Sequence, residues 1–171
     1  MIQLRCTQKL LKEWHIKPNA LTEIKDDLSP IGNWYAHIFN LDRRKTVIFV
    51  NEKTLTSFII IGVKQDDFDK LTRAFLAGVA QVLLLLGVTK DKIAQILTDY
   101  HEIEITKTAS RRILGVMNDL VNHYKEHVQL RGGLKYSDLD EIIFLTNDLP
   151  QRTLNQLKTI DYLHKVINEN F

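Results

Sequence analysis

The chain has 171 residues, a net charge of +2 from 23 basic and 21 acidic side chains, and an apolar fraction of 44%. This length suits one domain with a self-sufficient core. The composition excludes a disordered chain, and the near balance of charge argues against a strongly basic nucleic-acid binder. A single cysteine, Cys6, excludes an intrachain disulfide and fits a reducing compartment. The longest apolar run, Val79 to Val88, falls short of the ~20 residues of a membrane span, and no signal-peptide pattern follows Arg5 or Lys9. The expectation is a cytoplasmic protein with no membrane partner.

In chain order, Ile2, Leu4 and Cys6 share one face of a first strand, and residues 9–14 read as a short helix. Pro18 and the stretch from Pro30 to Gly32 mark an irregular connection. Residues 34–41, 45–50 and 55–61 then read as three strands, separated by the turn residues Asp42-Arg43-Arg44 and Asn51-Glu52-Lys53. Short turns make these strands an antiparallel meander. Val47, Ile48, Phe49 and Val50 leave no polar face, so the middle strand of the meander is expected to be covered on both sides.

Gly62 ends the sheet run. Phe68, Leu71, Phe75, Val79, Val82 and Leu86 recur at steps of three and four, a helical stripe closed by Gly87. Thr89 is placed to cap the next helix, with Ile93, Ile96 and Leu97 facing inward. Residues 101–107 alternate as a half-exposed edge strand. A long helix follows over residues 109–130, with Thr108 as its expected cap. Its stripe holds Ile113, Met117, Leu120, Val121, Tyr124 and Val128, and Arg131-Gly132-Gly133 ends it. Ser137 is the expected cap of a helix running to Leu145, and a last helix is predicted from Pro150 to the terminus. The fold class is therefore α+β over residues 1–171: a small antiparallel meander sheet packed against long helices (1–136), followed by a helical C-terminal extension (137–171). Use of that extension as a homodimer contact is one further expectation.

Two stretches resemble a known family. One is Trp34-Tyr35-Ala36-His37-Ile38-Phe39 with Leu41-Asp42-Arg43-Arg44-Lys45 and Asn51-Glu52-Lys53-Thr54-Leu55. The other is Lys107-Thr108, Arg111-Arg112, Leu114-Gly115 and Met117-Asn118-Asp119. Together they are similar to a bacterial family catalogued as domain of unknown function 6933, over residues 1–121. The resemblance implies no activity and no cofactor. It singles out Asp42, Arg43, Arg44, Arg111, Asn118 and Asp119.

Several constellations carry candidate chemistry. Asp42-Arg43-Arg44-Lys45 is either a solvated turn or an anion site, since arginine offers a planar fork to phosphate or carboxylate. Arg111 and Arg112 oppose the positive end of the helix dipole. They either help the helix N-terminus hold an anion or pair with Glu102, Glu104 or Asp42. Arg112, Asp119 and His123 share one margin of the long helix, with Asn118 on the opposite margin. Asp119 and His123 form a candidate acid–base pair or a structural polar seam that includes Asp42 and Asn118. His123 to His127 spells H-x-x-E-H, but a third metal ligand is lacking beyond a guess at Glu141, so no metal is expected. Cys6 reads as a buried hydrophobe. No G-x-x-x-x-G-K, G-x-G-x-x-G or G-x-S-x-G motif is present, and no cofactor is expected.

Three functions compete on this reading. The first is a binding module with an anion site made by Arg43, Arg44, Lys45, Arg111 and Arg112, for nucleic acid, phosphate or another protein. The second is a hydrolase or nuclease using Asp119 and His123. The third is a structural, dimer-forming protein. The first two assume that the hairpin and the polar margin of the long helix meet around one hollow.

Overall fold

A computed structural model describes residues 1–26, 29–64 and 68–171, with backbone alone at Phe68. Strand β1 (Ile2–Cys6) leads into helix α1 (Gln8–Glu13), where Thr7 Oγ1 accepts the Leu10 N–H. After a long connection come β2 (Trp34–Leu41), β3 (Arg44–Asn51) and β4 (Ser57–Ile61), paired antiparallel in sequence order as their short turns dictate. Asp42 and Arg43 join β2 to β3 with φ of 47° and 65°. Two left-handed residues in a two-residue loop make a type I′ turn, whose twist matches that of the flanking strands. Val47, Ile48, Phe49 and Val50 are all fully buried.

The meander is only part of the sheet. Its order is β4-β3-β2-β1-β5, and β1 runs parallel to both β2 and β5 (Ile103–Lys107). A parallel neighbour requires a crossover connection; helix α1 and residues 14–33 provide the one from β1 to β2. Local turn chemistry cannot reveal such a pairing. It has a direct consequence for β1, all five residues of which are buried, including Gln3 and Arg5.

Opposite faces of the sheet meet different helices. Trp34, Phe49 and Phe58 meet Phe75 of α2 (Phe68–Leu85), and Tyr100, which follows α3 (Lys90–Asp99), stacks on Phe75. The Trp34 indole N–H donates to the Tyr100 hydroxyl at 2.8 Å. Tyr35 and Ser57 point to the other face, against α4 (Arg111–Leu130), where the Ser57 and Tyr124 hydroxyls lie 3.0 Å apart. The expected stripe of α4 from Ile113 to Val128 is buried throughout.

Helix starts differ from expectation where a closer acceptor wins. Ser110, not Thr108, caps α4 through Ile113 N–H, and Asp138, not Ser137, caps α5 (Leu139–Asn147). Thr89 occupies the cap position of α3 without a side-chain bond. The last helix, α6, spans Thr159–Asn170 rather than starting after Pro150. Pro150–Gln151 (β6) and Leu157–Lys158 (β7) pair instead, with Asn155 and Gln156 in the left-handed region.

The C-terminal part is helical but is not an arm. Ile142, Leu163, Val166 and Ile167 belong to the same buried core as the sheet. Asn147 satisfies the open edge of β4: its Oδ1 accepts Ser57 N–H at 2.9 Å and its Nδ2 donates to Ser57 O at 2.8 Å. Among the described residues no helix is long and apolar enough to cross a membrane.

Candidate functional site

Strand β2 runs along the length of α4, and this sets where the charged groups fall. At one end Ser110 N–H donates to the Tyr35 hydroxyl at 3.1 Å. At the other, the Asp42 carboxylate accepts Leu134 N–H at 2.9 Å, beyond the C-terminus of α4. The hairpin tip and the Arg111–Arg112 helix start are therefore separated by the 20 residues of α4, roughly 30 Å at 1.5 Å per residue. The expected common hollow does not form. At the tip, Lys45 pairs with Glu13 at 2.6 Å and the Arg44 guanidinium lies against Gly62; Arg43, Arg44 and Lys45 are all exposed. Asp42 is an anchor for the loop after α4. Asn118 is exposed on α4, away from the hairpin.

A pocket of about 520 Å³ does form at the start of α4. Its floor is Arg5, whose side chain is only 4% exposed. Arg5 bonds Asp26 at 2.8 Å, Glu52 at 3.0 Å, Lys25 O at 2.9 Å and the Tyr35 hydroxyl at 3.4 Å. Burial by itself pulls its pKa down; the bonds to Tyr35 and Asp26 and the charge of Glu52 outweigh that and leave it raised. Two polar atoms of the lining residues, Arg5 Nε and Ser29 Oγ, are buried and have no hydrogen-bond partner among the described residues. The walls carry Lys53, Arg112 and Ser110, and the first N–H groups of α4 have no acceptor within the helix. Arg112 is exposed and makes no ion pair among the described residues.

The pocket is held by a polar network across β1. Gln3 Nε2 donates to Glu23 O at 2.6 Å and to Glu104 at 3.2 Å, while its Oε1 accepts Lys25 N–H at 2.9 Å. Glu52 Oε1 accepts both Asn33 N–H and Asn33 Nδ2 at 2.9 Å. These bonds fasten residues 22–26 over the sheet face. Of the residues involved, the sequence nominated Arg112 alone. Arg5 and Gln3 occupy the polar positions of an alternating strand, and such positions read as solvent-facing unless the strand is known to be interior.

Asp119 and His123 line a separate cleft of about 380 Å³, with Glu126 on the same helix and Arg152 and Thr153 from the segment after β6. Arg112 is not part of it. His123 Nδ1 is 4.0 Å from Glu126. His127 instead faces Arg131, at 3.3 Å, and burial followed by that positive charge holds its pKa below the usual histidine range. Glu141 pairs with Arg131. Among the described residues no group of three His, Cys, Asp or Glu side chains is placed to hold a metal ion. Burial pushes the Cys6 thiol up to about 12, so it is not an activated nucleophile.

Fold and site together define a mixed-sheet α+β domain with a buried cationic floor beneath a helix start. The chain belongs to the family described as domain of unknown function (DUF6933), whose profile matches residues 3–163. That match runs past residue 121 and takes in α5 and the first turn of α6. A search among curated proteins finds no match. The two stretches that carry the family resemblance meet at the Arg5 pocket, through Glu52 and Lys53 from one and Arg112 from the other.

Proposed function

We propose that this domain is a binding module whose ligand presents a phosphate or carboxylate to the pocket over Arg5. The observation that carries the reading is that Arg5 Nε and Ser29 Oγ, buried and without a partner among the described residues, belong to side chains lining one pocket. Leaving a buried donor unsatisfied costs about 1–3 kcal/mol, which favours a small shift of either side chain toward a bound anion. The free N–H groups of α4 and the side chains of Arg112 and Lys53 supply further positive potential. Asp26 and Glu52 orient Arg5 and limit the net charge, which favours a single anionic group over a long polyanion. Action in the cytoplasm belongs to the same proposal, on the strength of the lone buried thiol.

Calorimetric titration with inorganic phosphate and pyrophosphate tests the reading. Wild-type protein should bind, and Arg112→Ala should weaken binding at least tenfold without lowering Tm, because Arg112 is exposed. Identical isotherms for the two proteins would overturn it. Filter binding of RNA or DNA at low and moderate salt separates a nucleic-acid phosphate from a small anion, since a strand lost steeply with salt marks the former.

One observation favours a second reading. Asp119 and His123 do line a common cleft with Arg152, an arrangement suited to acid–base hydrolysis with an arginine for the developing anion. On this reading Asp119→Asn and His123→Gln each abolish cleavage of a phosphodiester or ester substrate that the wild type turns over. Equal background rates for all three proteins would remove it.

A further inference from the structure

A further cavity borders residues 21–24. It is a groove of about 900 Å³ between α1, the turn after it and the end of β5. Its origin is a helix ending. His15 N–H bonds Lys12 O at 3.1 Å and Ile16 N–H bonds Leu11 O at 3.0 Å, which is the Schellman pattern. The left-handed position that glycine usually fills is here His15, with φ of 51°. A non-glycine residue there is strained, and such strain concentrates where a side chain is needed in place. The motif sets Ile16 against Leu11, and with Leu21 and Ile24 they give the groove an apolar floor. Ile24 is 40% exposed.

The rim has the opposite character. Lys12, Lys17 and Lys107 are exposed, line the groove and make no ion pair among the described residues. His15 stands among them, and Glu23 is the one acidic residue lining the groove. An extended peptide is disfavoured as occupant because the sheet edge is already used. Thr22 N–H donates to Ile105 O at 2.8 Å, and Thr106 Oγ1 donates to Thr22 O at 2.8 Å. A partner strand would have to displace both.

We infer that this groove binds an anionic amphiphile, a long-chain carboxylate whose alkyl chain lies on Leu11, Ile16, Leu21 and Ile24 and whose head is held by Lys12, Lys17 and Lys107. The volume lies within the range of small-molecule pockets. The alkyl chain needs no directional partner, and lysine ammonium groups serve a carboxylate as point charges.

The experiment is titration of the full chain with decanoate and dodecanoate below their micellar concentrations, with dodecanol as the neutral control, followed by native mass spectrometry. The expected result is a 1:1 complex, tightened about fourfold for each added methylene, with dodecanol at least tenfold weaker. The double variant Lys12→Glu/Lys107→Glu should lose at least tenfold for the acids and little for the alcohol. Ile24→Trp, at an exposed position that the fold tolerates, should block all three. No binding by a protein of wild-type Tm overturns the inference, as does equal binding of acid and alcohol. Binding of an acidic peptide to the groove with no acid complex assigns it to a protein partner and overturns the inference too. Inorganic phosphate binding, measured in the same preparations, reports separately on the Arg5 pocket.

Discussion

At the scale of single residues, this protein places charge and strain where a local rule would forbid them. Arg43 holds the second position of a type I′ turn at φ of 65°, where glycine or asparagine is usual. Its side chain is exposed, so nothing packed is lost on truncation. Arg43→Gly should therefore raise stability by about 1 kcal/mol, read as a shifted urea midpoint at unchanged slope. A lower midpoint would show that the guanidinium has a partner of its own.

Titratable residues add a pH signature. Burial, reinforced by the charges of Lys9 and Lys125, holds the His37 pKa below the ordinary histidine value, and His127 is lowered for the reasons already given. As pH falls below about 6.5 the unfolded chain takes up protons on these histidines before the folded one does, so stability falls. Glu104 acts lower down: its bonds from Lys25 and Gln3 hold its pKa below the usual carboxylate value. The stability it contributes is present above the unfolded value and is lost as pH drops through the folded one. Denaturant unfolding at pH 8, 6, 5 and 4 should show a first loss below about 6.5 and a further loss in the carboxylate range. His37→Gln should reduce the first and Glu104→Gln the second. A flat profile from pH 8 to 5 would refute the histidine assignment.

At the scale of elements, two helical glycines that look equivalent in the sequence have opposite surroundings. Gly78 of α2 faces the Phe58 ring, which a Cβ would approach to 2.2 Å. Gly115 of α4 has nothing within 4 Å of such an atom. Gly78→Ala should destabilise by about 1–3 kcal/mol through overpacking, despite its better helix propensity. Gly115→Ala should stabilise by about 0.5–1 kcal/mol. Thermal unfolding of the two variants side by side checks the contrast, and shifts in the same direction would contradict it. The same locality explains how much of the fold the sequence shows. The β2–β3–β4 meander and the α4 stripe follow from residues within a few positions of each other. The caps moved because Thr108 and Ser110, like Ser137 and Asp138, are candidates within two positions of each other that only the chain's final path separates.

At the scale of the whole molecule, the C-terminal part completes the sheet. Asn147 occupies both polar groups of Ser57 on the outer side of β4, as a neighbouring strand would. Asn147→Ala should cost about 2–3 kcal/mol by stranding two buried backbone groups. It should also promote association through the freed edge. Unfolding curves and light scattering at rising concentration measure the two effects, and a monomer of unchanged stability would negate this role. Removing residues 137–171 should go further and abolish cooperative unfolding, because Ile142, Leu163, Val166 and Ile167 belong to the common core.

The candidate site was legible in proportion to its locality. Arg112 stood out because two arginines at a helix start oppose the dipole. Asp119 and His123 were paired by helical spacing, and one turn of α4 does bring them to a single cleft. Arg5, Ser29, Asp26 and Glu52 come from three separate stretches of chain and carry no shared pattern. The assumed meeting of hairpin and helix start failed because sequence spacing does not say which end of α4 the turn reaches.

What the sequence determined by itself was the α+β class, the meander and the helical stripes, because hydrophobic periodicity and turn chemistry act between neighbours. Tertiary structure alone decided that β1 lies inside the sheet, parallel to β2 and β5. That choice depends on a crossover and on burial gathered from remote segments, and it turns Arg5 from an ordinary strand residue into the buried floor of a pocket.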